Sequence, residues 1–412
     1  MIKVAVMGYG VVGSGTVEVF YKNHSGITEK IGDDIDIKYI LDLRDFDDSS
    51  YKDKFIKDFN IILNDPEVTV VAEVIGGLNP AYNFVKSLLM AGKSVVTSNK
   101  ELVAEKGAEL LHIAREKNVN FFFEASVGGG IPIIRPLHHC LSANEIDEIA
   151  GILNGTTNFI LTKMINEGMA FDEALAIAQK LGYAEKDPSA DVDGHDTCRK
   201  ICILAALSFG KHVYPKDVHT KGIGDVTLED IRYCESYGGA VKLIGWARRV
   251  GDKAAVMVCP AFVSDESQLS SVNDVFNAIL VRGNATGDVV FYGKGAGKLP
   301  TASAVVSDII MAAKMRDNSR SLYWAESEGD FVVDHKSLDN KFYVRVICRD
   351  KSETLRKAEE LWGKLKILHR DNEEENEAAF ITEAVNEGRF IENVEKLSQL
   401  AEVKGCIRVL NY

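Results

Sequence analysis

Nothing in this 412-residue chain approaches the ~20 consecutive apolar residues that a bilayer core demands, so no membrane-spanning helix is expected. The N-terminus opens on a β-rich run and lacks the basic segment and apolar stretch of a signal peptide, which makes the expected location cytoplasmic. Positive charge is in deficit: 48 Lys and Arg against 61 Asp and Glu leave a net charge of -13. That balance argues against nucleic acid or an anionic membrane surface as partner. Cysteine is sparse, seven residues without any C-x-x-C spacing, and is expected to be reduced and buried. Cys198 and Cys202 share a helical face, but no histidine completes a zinc set. Repeats and low-complexity tracts are missing too, and the short acidic run DNEEENE reads as a solvated hairpin tip. What is left is a chain too long for one typical core, hence two or three domains.

Residues Ile2 to Met7, IKVAVM, form an apolar β-type run that feeds into Gly8-Tyr9-Gly10-Val11-Val12-Gly13 and then into a segment able to open a helix. A G-x-G-x-x-G in that context has a mechanism. Its glycines allow the tight turn, let backbone approach a pyrophosphate and let helix and strand pack closely, with the helix N-terminus facing the anion. Gly8, Gly10, Val11, Val12 and Gly13 are therefore candidate dinucleotide contacts. The ribose should be read after the second strand, where DIDIKYILDLRD offers both Asp42 and Arg44. The aspartate would favour NAD and the arginine would accept the 2′-phosphate of NADP; the sequence leaves both open.

The segment AQKLGYAEKDPSADVDGHDTCRK, from Ala178 to Lys200, crowds carboxylates onto a turn between two helices. The first helix, beginning near Phe171, has an acidic start, an apolar periodic face and Gly182 as its stop. From about Gly194 the run HDTCRKICILAALSFG is apolar on nearly every side, the pattern of a buried helix. Lys200 then lies near a core, with Asp196 one helical turn before it on the same face and Glu185, Asp187, Asp191 and Asp193 on the loop leading in. A lysine held by acids beside an apolar helix is a candidate proton carrier. The alternative is a solvated acidic loop with an ordinary ion pair.

The expected fold class is α/β. Alternating apolar runs and helical stretches predict a Rossmann-type parallel sheet over residues 1 to about 145. An α+β substrate domain follows to about 318, its last helix, TASAVVSDIIMAAK, returning to the first domain. Polar, unperiodic residues at Arg316 to Arg320 and Glu326 to Asp339 suggest a linker over about 319–339. Residues 340–412 then read as a βαββαβ, ferredoxin-like small domain.

The central segment resembles the signature of homoserine dehydrogenase, carried here by Ala178, Gly182, Asp187-Pro188, Asp191, Gly194, Asp196 and Lys200. TSNKELVA around Lys100, EASVGGGIPII from Glu124, GILNGTTNFIL from Gly151, KGIGDVTLEDI from Lys221, VKLIGWA from Val241 and GKGAGKLPTASAVVSDII are similar too. The resemblance spans residues 1 to about 318, and the tail is similar to the ACT domain of many bacterial members. It implies reversible hydride transfer between L-homoserine and NAD or NADP, with L-aspartate 4-semialdehyde as the oxidised partner, in threonine and methionine biosynthesis. It also implies catalytic roles for Lys100 and Lys200, with Asp196 orienting Lys200, and substrate contacts from Glu185, Asp191, Gly155, Thr156 and Lys200. Ser98, Lys100 and Gly297 would join the glycine loop and Arg44 at the cofactor. Glu124, Val127, Gly129 and Ile131 would hold a monovalent cation such as Na+ that braces the domain junction. Two ammonium groups near a nicotinamide should draw a lysine's pKa down to roughly 7 to 8, whereas Asp196 should raise it. The tail implies a homodimer or homotetramer.

Two departures stand out. Lys294 in GKGAGKLP occupies a place where the family commonly has proline, and the tail's first turn, Arg349-Asp350-Lys351-Ser352-Glu353, lacks the glycine that would admit an effector. The second counts against feedback inhibition by threonine. His195 and the His138-His139 pair are expected on the surface. Aspartate-semialdehyde dehydrogenase, which shares substrate and cofactor, needs a cysteine nucleophile that no suitable loop here supplies. A non-enzymatic, nucleotide-binding amino-acid sensor is the remaining alternative, opposed by the retention of Lys100, Glu185, Asp191, Asp196 and Lys200.

Overall fold

The computed structural model describes residues 1–315 and 322–410. Six parallel strands form the first sheet: Ile2–Met7, Ile35–Leu41, Phe55–Ile56, Val68–Glu73, Ser94–Thr97 and Phe121–Phe122, in spatial order 3-2-1-4-5-6. Runs such as VTVVAE and SVVT are almost continuously apolar because helices cover both faces of such a sheet. Strand order reverses between Ile2–Met7 and Val68–Glu73, and at their carboxyl ends opens the crevice where doubly wound sheets bind ligands. The helix Lys298–Lys314 returns to this unit and lies against the helix Val11–Lys22. A Cβ on Gly15 would sit 2.8 Å from the Lys298 carbonyl oxygen, so only glycine lets the two helices come this close.

The second sheet has eleven strands. Five are mutually antiparallel, in the order Gly287–Lys294, Phe276–Gly283, Ile146–Ile152, Gly239–Val250 and Lys253–Ser264. Helices Gly155–Glu167, His195–Phe209 and Leu228–Tyr237 pack on this part. The sheet then continues into the tail, because Ala261–Val263 pair in parallel with Arg408–Leu410. Beyond Ala401–Leu410 come Asp339–Cys348, Glu377–Thr382 and Leu365–Leu368, and helices Lys351–Trp362 and Glu387–Leu397 complete a βαββαβ order. Among the described residues no helix is long and apolar enough to cross a membrane.

The expected linker is a packed segment where it is described. Arg316 to Arg320 lie outside the described residues, but Leu322, Trp324, Phe331 and Leu338 are buried. Trp324 Nε1 donates to His212 Nδ1 at 2.9 Å, and Phe331 and Val333 hydrogen-bond the backbone of Ala254. Four apolar residues scattered without helical or strand period leave no pattern to read, yet each fills a place between surfaces built elsewhere in the chain.

Candidate active site

Two glycines make the first loop possible. Gly8 adopts φ +100°, and a Cβ on Gly13 would lie 1.9 Å from the Gly8 carbonyl oxygen. The helix Val11–Lys22 starts at Gly10 with no side chain capping it, and Val11 is 68% exposed, so its first N–H groups are open to an anion. These features fit a dinucleotide pyrophosphate. Asp42 turns back into the loop: its carboxylate accepts the Tyr9 N–H at 2.8 Å and both arms of the Arg44 guanidinium at 2.9 Å. Hydrogen bonding from Arg44 holds that carboxyl well below the usual range. Glu73, at the end of the fourth strand, is fully buried and accepts the Ile75 and Gly76 N–H groups and the Thr97 hydroxyl. Burial pushes its carboxyl up. Sequence reading passed over Glu73, since a lone acid ending an apolar strand carries no periodic signal. Ser98 is half-buried beside Asn99, whose side chain caps the helix Lys100–Glu116 and so sets Lys100 in its first turn. Gly297, with φ +125°, starts the helix Lys298–Lys314.

Lys100 and Lys200 share one carboxylate. Lys100 Nζ lies 2.5 Å from Asp196 Oδ1, and Lys200 Nζ donates to Asp196 Oδ2 at 2.8 Å and to the Leu153 carbonyl at 2.7 Å. Asp196 and Lys200 occupy successive turns of the helix His195–Phe209, and both are buried. Burial alone would raise the Asp196 carboxyl, but the Lys200 and Lys100 ammonium groups outweigh it and hold it far below the ordinary range. The lysines are not equivalent. Burial, aided by Lys100, takes Lys200 below its ordinary value despite Asp196, whereas at Lys100 the opposing burial is overcome by Asp196 and the net shift is upward.

Around this trio Asn154 Nδ2 donates to Asp191 Oδ1 at 2.7 Å and to Asp196 Oδ2 at 3.0 Å. Asp191 sits in the short helix Ser189–Val192, and burial, then Asp196, raises its carboxyl. Gly155 opens the helix Gly155–Glu167, packed so closely that a Cβ would lie 2.7 Å from the Val275 carbonyl oxygen. The Thr156 hydroxyl donates to the Tyr183 carbonyl at 2.7 Å, tying that helix to the acidic loop. Glu185 is exposed on the same loop, and His195 is exposed at the start of its helix. Lys100, Lys200, Asp196, Asp191, Gly155 and Thr156 thus come together through Asn154, which sequence reading missed although it lies in the NGTTN run. Its helix-capping role was the available signal.

Glu124 is buried, and its carboxylate accepts the N–H groups of Ile133, Ile134 and Arg135 and the Arg135 guanidinium. With both oxygens so engaged, a cation here would depend on carbonyl oxygens, donors of the hard type that suits Na+. A second group, His219, His335 and Glu387, brings its ligand atoms within 4.8 Å of one another. Both Glu387 oxygens, however, accept from Arg408, and the imidazoles stack 3.9 Å apart at 15°, so their lone pairs run side by side and do not converge on one point.

Comparison with known proteins points to one family. Residues 8–124 match the family described as homoserine dehydrogenase, NAD binding domain, and residues 132–310 match that described as homoserine dehydrogenase. A homoserine dehydrogenase of Bacillus subtilis is 37% identical over 99% of this chain and 98% of its own length. One from Synechocystis is 38% identical over 100% of both. The crystal structure of a homoserine dehydrogenase from Thiobacillus denitrificans covers 100% of this chain and 98% of its own with TM-score 0.89 at 34% identity. A hyperthermophilic archaeal homoserine dehydrogenase mutant in complex with NADPH covers 76% of this chain and 97% of its own, with TM-score 0.65 at 30% identity. The sensor alternative is not favoured by these matches. The chain belongs to the homoserine dehydrogenase family of NAD(P)-dependent oxidoreductases.

Proposed function

We propose that Lys200 carries the proton in the interconversion of L-homoserine and L-aspartate 4-semialdehyde, with Lys100 as its fixed cationic partner. The observation that carries this is the single buried carboxylate of Asp196 shared by both lysines. As the neutral amine, Lys200 takes the hydroxyl proton; as the ammonium, it returns it to the alkoxide formed in the reverse direction. A dinucleotide held by its pyrophosphate at the glycine loop, with its nicotinamide towards Ser98, Lys100 and Gly297, would supply the hydride acceptor or donor. Lys100, kept charged by Asp196, stabilises negative charge developing on the substrate oxygen. Asp191 and Glu185 receive the substrate ammonium, and Gly155 and Thr156 form the wall beside it.

The remaining assignments follow the same reasoning. Arg44, 62% exposed on its side chain beside a carboxylate it has already neutralised, is suited to a 2′-phosphate, so NADP is the proposed cofactor with NAD also accepted. Gly8, Gly10, Val11, Val12 and Gly13 face the pyrophosphate, and Ser98, Lys100 and Gly297 the nicotinamide end. Carbonyls of Glu124, Val127, Gly129 and Ile131 hold Na+. The βαββαβ tail is an ACT-like unit serving homodimer or homotetramer assembly, and the protein works in the cytoplasm.

Steady-state oxidation of L-homoserine with NAD and NADP in parallel, using Lys200→Ala beside the unaltered protein, tests this reading. Loss of turnover in Lys200→Ala with retained nucleotide binding is expected. Wild-type turnover in that variant would overturn it.

A further inference from the structure

Asn154 does more than a helix cap requires. It is 5% exposed and follows the strand Ile146–Ile152, and its Oδ1 accepts the Thr157 N–H at 2.8 Å, capping the helix Gly155–Glu167. Any side chain with an acceptor oxygen would do that, and aspartate, serine and threonine cap about as well. Only a carboxamide combines such an acceptor with two N–H donors. Both donors are used on carboxylates: Asp191 Oδ1 at 2.7 Å and Asp196 Oδ2 at 3.0 Å. The residue before it, Leu153, gives its carbonyl to Lys200 Nζ at 2.7 Å. One strand end therefore grips the lysine and the two acids together.

Two carboxylates of like charge, Asp196 buried on the long helix and Asp191 half-buried on the short helix before it, would move apart unless something neutral and donating stood between them. We infer that Asn154 is a positioning residue for the reaction: its amide fixes the separation of Asp191 and Asp196, so that one stays on the lysine pair while the other faces the substrate ammonium. This rests on the reading of Lys200 and Asp191 given above. Loss of the amide donors should affect both functions at once, loosening substrate binding through Asp191 and slowing turnover through Asp196 and Lys200, without unfolding a helix that still has its cap.

Asn154→Ser and Asn154→Asp keep a capping oxygen and lose the double donor. The measurements are thermal midpoint, kcat and KM for homoserine, and calorimetric homoserine binding to protein without added cofactor, with Lys200→Ala alongside. Asn154→Ser should melt close to the unaltered protein, and Asn154→Asp lower, because it places a third carboxylate beside two. KM should rise and kcat fall by about tenfold each, the size expected for losing a hydrogen bond to a charged group. Asn154→Asp should be the more damaged, because it adds a third carboxylate where a donor stood. Homoserine binding should weaken in step with KM. Kinetics and binding within about twofold of the unaltered protein in both variants, beside an inactive Lys200→Ala, would reduce Asn154 to a cap and sink this inference alone, since one hydrogen bond to a charged group exceeds that margin. Full turnover in Lys200→Ala would remove the reading on which it rests.

Discussion

Glu101 and Arg199 meet across the cleft at 3.2 Å, Glu101 immediately after Lys100 and Arg199 immediately before Lys200. The pair links the first turn of a helix on the nucleotide-binding sheet to the buried helix of the second sheet, beside both lysines. With side chains 34% and 28% exposed, the contact contributes at most about 1 kcal/mol to stability. Its value is in register. Glu101→Gln should leave the thermal midpoint nearly unchanged and lower kcat several-fold, and a parallel fall in both would count against a positioning role.

Asp196→Asn removes the one carboxylate that touches both lysines. The expected loss in kcat is about a hundredfold, comparable with removal of a preorganised electrostatic partner. The residual activity should move to lower pH, because the anion that raises the lysines is gone. A pH–rate profile with the unaltered midpoint would disprove the assignment.

The unaltered enzyme should show opposite pH trends in its two directions. Burial sets Lys200 below the ordinary lysine value. The neutral amine is the base for alcohol oxidation, so kcat/KM for homoserine falls as the pH drops through the Lys200 pKa. The ammonium is the acid for aldehyde reduction, so that direction holds its rate at lower pH and loses it as pH rises. Parallel profiles would assign the proton to another group.

Gly13→Ala and Gly10→Ala separate packing from binding. A Cβ at Gly13 would be 1.9 Å from the Gly8 carbonyl oxygen, while one at Gly10 meets nothing within 4 Å. Gly13→Ala should cost about 1–3 kcal/mol of stability, as overpacking does, and Gly10→Ala almost none. Both should weaken cofactor binding, the second by standing where the pyrophosphate approaches. Cofactor fluorescence titration and thermal melts on the two variants check this.

Acid should loosen the seam between the sheet centre and the tail. Burial first, then Arg408 and His335, brings His219 down to about 4. A histidine depressed in the fold favours folding while neutral, so its contribution is complete above the unfolded value of about 6.5 and is lost as pH falls towards the folded value. Because His219 is only partly buried, the expected loss is on the order of 1 kcal/mol. His219→Gln should flatten stability between these limits, and an unchanged slope would exclude His219 as the cause.

Much of the fold was legible because its causes are local. The glycine spacing after Met7, the β-branched runs at Val68 and Ser94 and the stop at Gly182 each act within a few residues of themselves. The buried helix around Lys200 announced itself by apolar residues on every side. Glu73 and Asn154 were overlooked for the converse reason. Each resembles an ordinary strand end or helix cap in the chain, and its partners lie 24 and up to 42 residues away. Trp324, in a stretch read as linker, is buried against His212, 112 residues distant.

The sequence by itself determined which residue types the reaction has available, the glycine loop that shapes a pyrophosphate site, and the pairing of Asp196 with Lys200 one helical turn apart. Only the tertiary structure decided that Lys100, from the other sheet, takes the second oxygen of the same carboxylate. The difference between the lysines was decided there too. Crowding and Asp196 pull the two in opposite directions, and how deeply each is buried, a property of packing and not of spacing, sends Lys200 down and Lys100 up.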